Sequence, residues 1–407
     1  MVTSKDRNIV RELAKRYVAE LSTEKHEKML RRFRDTNDLK SVRPPVIIDE
    51  IPWHQMDIDG ELTCACEDAR ARNIELGFRR RLYYLKHFGC IDNNYEPFFL
   101  IKRAYDSTGI GVKVEENIKR TDGGNIVSHE YKDVLEDESA LELLHDPEFT
   151  LRPDIDAERM EYCTELLGDS IPIKLYGFSY YYHMPWDTIV QLRGVEPILM
   201  DMYDRPEYLH EIMKKFTSAA HATIDFFEKN FDADNSVISL HCTPSPITYK
   251  RDGKISGWYR RAAQALGVVS PAMFAEFEAD YTKSIADRFE YTYYGCCEPL
   301  DDRIDVLKKS IPNLRKIGCS PWAKVEKCAE QIGGDFVLSR KPNPANVAIE
   351  TDPEVIRREI EETVKVCMKY GCPYDITLKD ISTVSNRPEN LITWAKITSE
   401  VLDKYYN

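Results

Sequence analysis

The chain has 407 residues, 43% hydrophobic and 31% charged, a composition that can bury a large core and excludes a disordered polypeptide. Its formal charge of −13 argues against a nucleic-acid partner, because phosphate neutralisation needs clustered Lys and Arg. Met1 to Arg11 carry charges without the apolar stretch of a secretory signal, and no run approaches the roughly 20 apolar residues of a membrane span. Eleven cysteines without a signal point to reduced thiols in a cytoplasm, where close cysteines serve metals or catalysis more often than disulfides.

In chain order, residues 5–34 read as two helices broken near Ser22-Thr23, with Thr23 capping the second. A short buried strand follows at 46–50, then a helix at 67–86 with an Arg-rich exposed face. Residues 96–145 read as irregular strands with a hairpin turn at Asp122-Gly123-Gly124. From 154 the alternation becomes regular. Helix 154–168 precedes strand 172–176, and helix 206–230 precedes strand 236–240, which ends at His241. Helix 271–288 starts behind the cap Ser270 and Pro271, and strand 290–294 runs into Gly295-Cys296-Cys297-Glu298-Pro299. Helix–strand pairs at 301–309 and 314–318, 323–332 and 335–339, and 353–370 and 374–378 complete the pattern before a last helix at 388–405.

Strands separated by helices imply parallel crossovers, in a closed barrel or a doubly wound sheet. No glycine-rich phosphate fingerprint follows a strand, since Gly109-Ile110-Gly111 lacks the third glycine and the helix. In either architecture the site lies at the C-terminal strand ends. Those ends carry Tyr176-Gly177, His241-Cys242, Cys296-Cys297-Glu298, Cys319-Ser320, Ser339-Arg340-Lys341 and Lys379-Asp380. Cys296, Cys297 and Glu298, with His241 and Asp380 from other strands, supply sulfur, nitrogen and oxygen donors suited to zinc. The alternative stays open that both cysteines are small buried residues and His241 a satisfied polar one. The pair Cys64 and Cys66 reads as incidental.

The run Tyr180-Tyr181-Tyr182-His183-Met184-Pro185-Trp186 reads as a loop walling a pocket or packed over the mouth, with His183 a candidate acid–base or ligand residue. Arg340-Lys341-Pro342-Asn343-Pro344 is a rigid loop whose two cations suit an anionic group. The candidate catalytic residues are His241, Asp380, Lys341 and His183. The candidate substrate contacts are Tyr180, Tyr181, Tyr182, Trp186, Tyr294, Arg340 and Lys379.

Longer phrases carry a resemblance. They are Trp186-Asp187-Thr188-Ile189-Val190, Arg193-Gly194-Val195-Glu196-Pro197, and Gly267-Val268-Val269-Ser270-Pro271-Ala272-Met273-Phe274. They continue with Tyr293-Tyr294-Gly295-Cys296-Cys297-Glu298-Pro299-Leu300, Ser320-Pro321-Trp322, Ser339-Arg340-Lys341-Pro342-Asn343-Pro344 and Leu378-Lys379-Asp380-Ile381-Ser382-Thr383. With them, residues 172–405 resemble the uroporphyrinogen decarboxylase superfamily, closest to its uncharacterised bacterial branch. The resemblance implies a TIM-type (β/α)8 barrel over 46–407, with insertions and an N-terminal helical extension over 1–45.

That superfamily holds decarboxylases with an N-terminal Arg-rich loop, and cobalamin-dependent methyltransferases that bind zinc through His-x-Cys and a later Cys. Asp49-Glu50-Ile51-Pro52-Trp53-His54 contains no arginine. The His-x-Cys position falls on Tyr294-Gly295-Cys296, and the later Cys falls near Lys379-Asp380. The expected function is therefore a corrinoid-linked methyltransferase with zinc at Cys296 or Cys297, His241, Glu298 or Asp380. Its substrate would be a small methylated molecule, O-methylated aromatics being one class. The corrinoid would sit on a separate protein, since Asp-x-His-x-x-Gly is absent from the sequence. A metal-independent decarboxylase or lyase, and a non-catalytic tetrapyrrole or corrinoid binder, are the alternatives. A homodimer is a further expectation from the resemblance.

Overall fold

Parallel strands need a crossover between each neighbouring pair, and the chain supplies helices at those places. The computed structural model describes residues 2–120, 127–234, 239–247 and 251–406. Seven strands form its main sheet: β1 (Val46–Ile48), β2 (Tyr180–His183), β3 (Ile255–Arg261), β4 (Phe289–Tyr294), β5 (Leu314–Cys319), β6 (Val337–Arg340) and β7 (Tyr374–Leu378). Their order is β1-β7-β6-β5-β4-β3-β2, every neighbour is parallel, and β1 and β2 are the edges. Helices Pro206–Asn230, Asp280–Ala286, Ile304–Ser310, Val325–Ile332, Pro353–Tyr370 and Glu389–Tyr406 cover its outer face.

The sheet curls. β4 and β7 are three places apart, a separation of about 14 Å in a flat sheet. Yet Cys297, beyond β4, reaches Asp380, beyond β7, at 3.1 Å. The expected α/β fold is therefore present as a curled parallel sheet with outer helices.

Several expected elements are placed differently. The strand expected at 172–176 is Ile173–Tyr176, but it pairs with Phe99–Lys102 in a separate two-stranded ladder. The main sheet instead takes Tyr180–His183, which had read as loop; four consecutive aromatic rings suit a pleated, half-buried surface. Leu240 and Ser239 pair antiparallel with Thr243 and Pro244 outside the main sheet, and the rest of the strand expected at 236–240 lies outside the described residues. The hairpin Glu116–Arg120 with Val127–Tyr131 is present, and its turn at Asp122-Gly123-Gly124 lies outside the described residues.

Thr23 caps its helix by accepting from His26 N, and Ser270 caps by accepting from Met273 N. The helix expected at 271–288 contains a π turn at Ala275–Ala279. The N-terminal helix Glu24–Asn37 packs Met29 and Phe33 on Ile47 of β1. Among the described residues, no helix is long and apolar enough to cross a membrane.

Candidate functional site at the mouth of the curled sheet

Side chains alternate between the concave inner face and the outer helix-covered face. On β3, Trp258 and Arg260 face inward, whereas Tyr259 and Arg261 face outward; Arg261 Nε donates to Glu278 in the π turn at 2.6 Å. On β7, Asp375 and Lys379 share the inner face.

The floor of that face is polar, and a buried network joins Lys316, Asp375, Ser339 and Lys341. Lys316 Nζ, 1% exposed, donates to Asp375 Oδ2 at 2.7 Å and to Thr243 Oγ1 at 2.7 Å. Ser339 Oγ donates to Asp375 Oδ1 at 2.6 Å, and Lys341 Nζ donates to Ser339 Oγ at 2.8 Å and to Cys242 O at 2.5 Å. Burial pushes Asp375 up, but the Lys316 and Lys341 ammoniums outweigh it and hold the carboxyl below the usual carboxylate range.

Above the floor, strand ends bring two thiols to the mouth. The Sγ atoms of Cys296 and Cys297 are 3.7 Å apart. Cys297 Sγ donates to Asp380 Oδ2 at 3.1 Å, and Lys379 Nζ approaches Cys297 Sγ at 3.3 Å while also bonding Asp380. The contact with Cys297 holds the Cys296 thiol below its ordinary range against burial, helped by His241, Arg260 and Lys379. The same contact, then burial, pushes Cys297 up. Burial pushes Asp380 up, but its bonds from Lys379 and Cys297 prevail and keep it ionised. Asp380 N donates to Glu50 Oε2 at 2.9 Å, which ties the end of β7 to the end of β1.

Glu298 turns its carboxylate onto backbone N–H groups. Its carboxylate accepts from Cys296 N at 3.0 Å and Ala263 N at 3.4 Å, and burial with the nearby Cys296 charge pushes it up to about 7. This carboxylate braces the turn after β4.

Other expected site residues divide between the faces. Tyr180 and Tyr182 are on the inner side, where the Tyr182 ring meets His241 edge-on at 5.6 Å. Tyr181 and His183 face outward with Tyr259. Arg261 Nη1 donates to His183 Nδ1 at 2.9 Å, and burial followed by the Arg261 charge keeps His183 neutral. Trp186 is a core residue, 0% exposed, donating to Phe277 O at 3.2 Å, so a place on a pocket wall is corrected. Tyr294 is likewise turned outward, donating to Glu278 at 2.9 Å, and its neighbour Tyr293 takes the inner position. Arg340 faces outward to Glu359 at 3.1 Å while Lys341 faces inward, so these cations do not form one anion site. Cys66 belongs to the core beneath helix Ser4–Leu21.

The donor atoms of Asp49, His241 and Cys242 all lie within 4.8 Å of one another, and they are the one such group among the described residues. Carboxylate, imidazole and thiolate are zinc donors, and three protein ligands leave the fourth position of a catalytic site open. Cys242 is held from both sides, its N–H donating to Asp49 Oδ2 at 3.2 Å and its carbonyl accepting from Lys341, with φ at +62°. The group shares only His241 with the donor set read from the sequence. Asp49 and Cys242 were missed as ligands, although both stand at strand ends or next to His241. Arg260, Tyr293, Lys316 and Asp375 were missed because β3 went unrecognised and the inner face was read only at its rim.

The sequence matches no family model and no curated protein. Among solved structures, the fold is similar to a methyltransferase from Methanosarcina mazei, with a TM-score of 0.50 and 14% identity, over 93% of this chain and 99% of that one. The two share an overall fold.

Proposed function

We propose that the chain is a methyltransferase acting between a small methylated substrate and a corrinoid on a separate protein. The observation that carries this reading is the convergence of Asp49, His241 and Cys242 beside the thiols of Cys296 and Cys297. The donor chemistry fits zinc. Bound there, zinc would supply a Lewis acid for the substrate heteroatom or an acceptor thiol, and the partner's corrinoid a cobalt that exchanges the methyl group.

The chain's own residues do the rest. Tyr182, half-exposed at the rim, presents a ring to the substrate. Cys297 keeps a proton on Sγ beside Asp380, where it can be passed to a heteroatom losing its methyl group. Lys379 holds both groups in register, and Lys341 fixes the peptide carrying Cys242. The proposal includes closure of the sheet as a TIM-type barrel, a place in the uroporphyrinogen decarboxylase superfamily, a cytoplasmic setting and a homodimer.

A decarboxylase or lyase is the second reading, favoured by the inner-face cations Arg260, Lys316, Lys341 and Lys379. Metal analysis of purified protein, with methyl transfer to and from free cobalamin, separates the two. About one zinc per chain, lost in Cys242→Ser and His241→Ala, together with methyl transfer, is expected. A folded, metal-free protein without methyl transfer would falsify the first reading.

A further inference from the structure

Among the described residues, Arg260 is the one inner-face cation with buried donors that lack a partner. Lys316 has Asp375, Lys379 has Asp380, and Lys341 has a carbonyl and a hydroxyl. On the same strand Arg261 is paired in full with Glu278. Arg260 is 0% exposed, and its Nη1 donates to the Arg261 carbonyl at 2.9 Å. Its Nε and Nη2 are buried without any hydrogen-bond partner, and so is the hydroxyl of Tyr293, whose ring lies 4.2 Å from the guanidinium carbon. A guanidinium cannot relieve its burial by losing a proton. Buried donors are almost always satisfied, so two on one cation need an explanation.

The pattern of unmet donors is chemically specific. Nε and Nη2 form the side-on edge of the guanidinium, whose two parallel N–H bonds match the two oxygens of a carboxylate. The Tyr293 hydroxyl is a further unmet donor, on the ring that lies 4.2 Å from the guanidinium carbon. The Tyr182 ring, 5.8 Å from the guanidinium carbon and 45% exposed, is the adjoining side chain that solvent reaches.

We propose that Arg260, with Tyr293, seats a carboxylate of the substrate, which enters past Tyr182 and leaves its other end at the mouth. The substrate class is then a small carboxylic acid bearing a methylated heteroatom. The methylated end rests on the function proposed above, whereas the carboxylate seat does not.

The test is calorimetric titration of the full chain, with and without added zinc, using 4-methoxybenzoate, its neutral analogue 4-methoxybenzyl alcohol, and phenyl phosphate. Binding of the carboxylate in preference to both others is expected. Arg260→Lys, which keeps the charge but loses the fork, should weaken it by about tenfold or more. Arg260→Met should abolish it while leaving the ligand-free melting temperature unchanged or raised, because it removes two buried N–H donors that have no partner in the ligand-free chain. A purely structural arginine would give the opposite shift in melting temperature. Equal affinity for the acid and the alcohol overturns the proposal, as does unchanged binding by Arg260→Lys. Carboxylate binding without zinc or methyl transfer would uphold the seat and sink only the methyltransferase reading.

Discussion

At the scale of single residues, Glu298 shows how burial competes with hydrogen bonding. Its two backbone N–H donors favour the ionised form, yet burial and the neighbouring Cys296 charge move it from 4.5 to about 7. A carboxyl raised in the folded state contributes stability that is complete below 4.5 and lost as pH rises through about 7. Over that window the loss amounts to about 3 kcal/mol. Melting curves across this range should show wild type losing stability relative to Glu298→Gln as pH rises; parallel curves would refute the assignment. The same scale explains what the sequence disclosed. Cys297, Lys379 and Asp380 follow strands running in one direction, so their meeting was legible from strand ends alone. Arg260 was not, because Ile255–Arg261 contains a glycine and two arginines, a poor apolar signature for a strand.

At the scale of elements, the turn after β4 depends on one position. Gly295 has φ +113°, and a Cβ there would lie 2.7 Å from Leu300 and 3.0 Å from the backbone of Gly318 on β5. Neither the backbone angle nor the contact with Gly318 tolerates a side chain, so the pair lets two strands approach and turns the thiols inward. Gly295→Ala should cost about 2–4 kcal/mol in urea denaturation, combining backbone strain with overpacking. It should also slow thiol titration by a disulfide reagent, since Cys296 and Cys297 shift together. Stability equal to wild type would show that the turn is not under this constraint. The π turn at Ala275–Ala279 had no sequence signature, because its helix reads as continuous until Glu278 is seen paired with Arg261.

At the scale of the whole molecule, the N-terminal helices are tied to the site. Asn37 Nδ2 donates to the carbonyls of Pro244 at 3.1 Å and Pro246 at 2.7 Å, fastening the hairpin that carries His241 and Cys242. Division at residue 45 follows the change from helices to strand but not this contact, which composition does not reveal. Asn37→Ala should lower stability by about 1–2 kcal/mol. Under the proposed function it should also weaken zinc binding by about tenfold, the usual effect of losing an outer support of a ligand. Chelator competition measures the second effect, and unchanged affinity would separate the helix from the site. The alternation of helix and strand was legible over the C-terminal half, whereas the assignment of β2 was not. Two short strands, Ile173–Tyr176 and Tyr180–His183, compete for one place, and only packing decides between them.

The peptide of Cys242 is gripped on one side by Asp49 and on the other by Lys341, which stands on the buried floor. Its left-handed backbone is thereby paid for by folding and not by a ligand. The mouth is consequently preorganised. Filling it should therefore change occupancy more than shape, because the ordering entropy that weakens a floppy site is already spent when the chain folds.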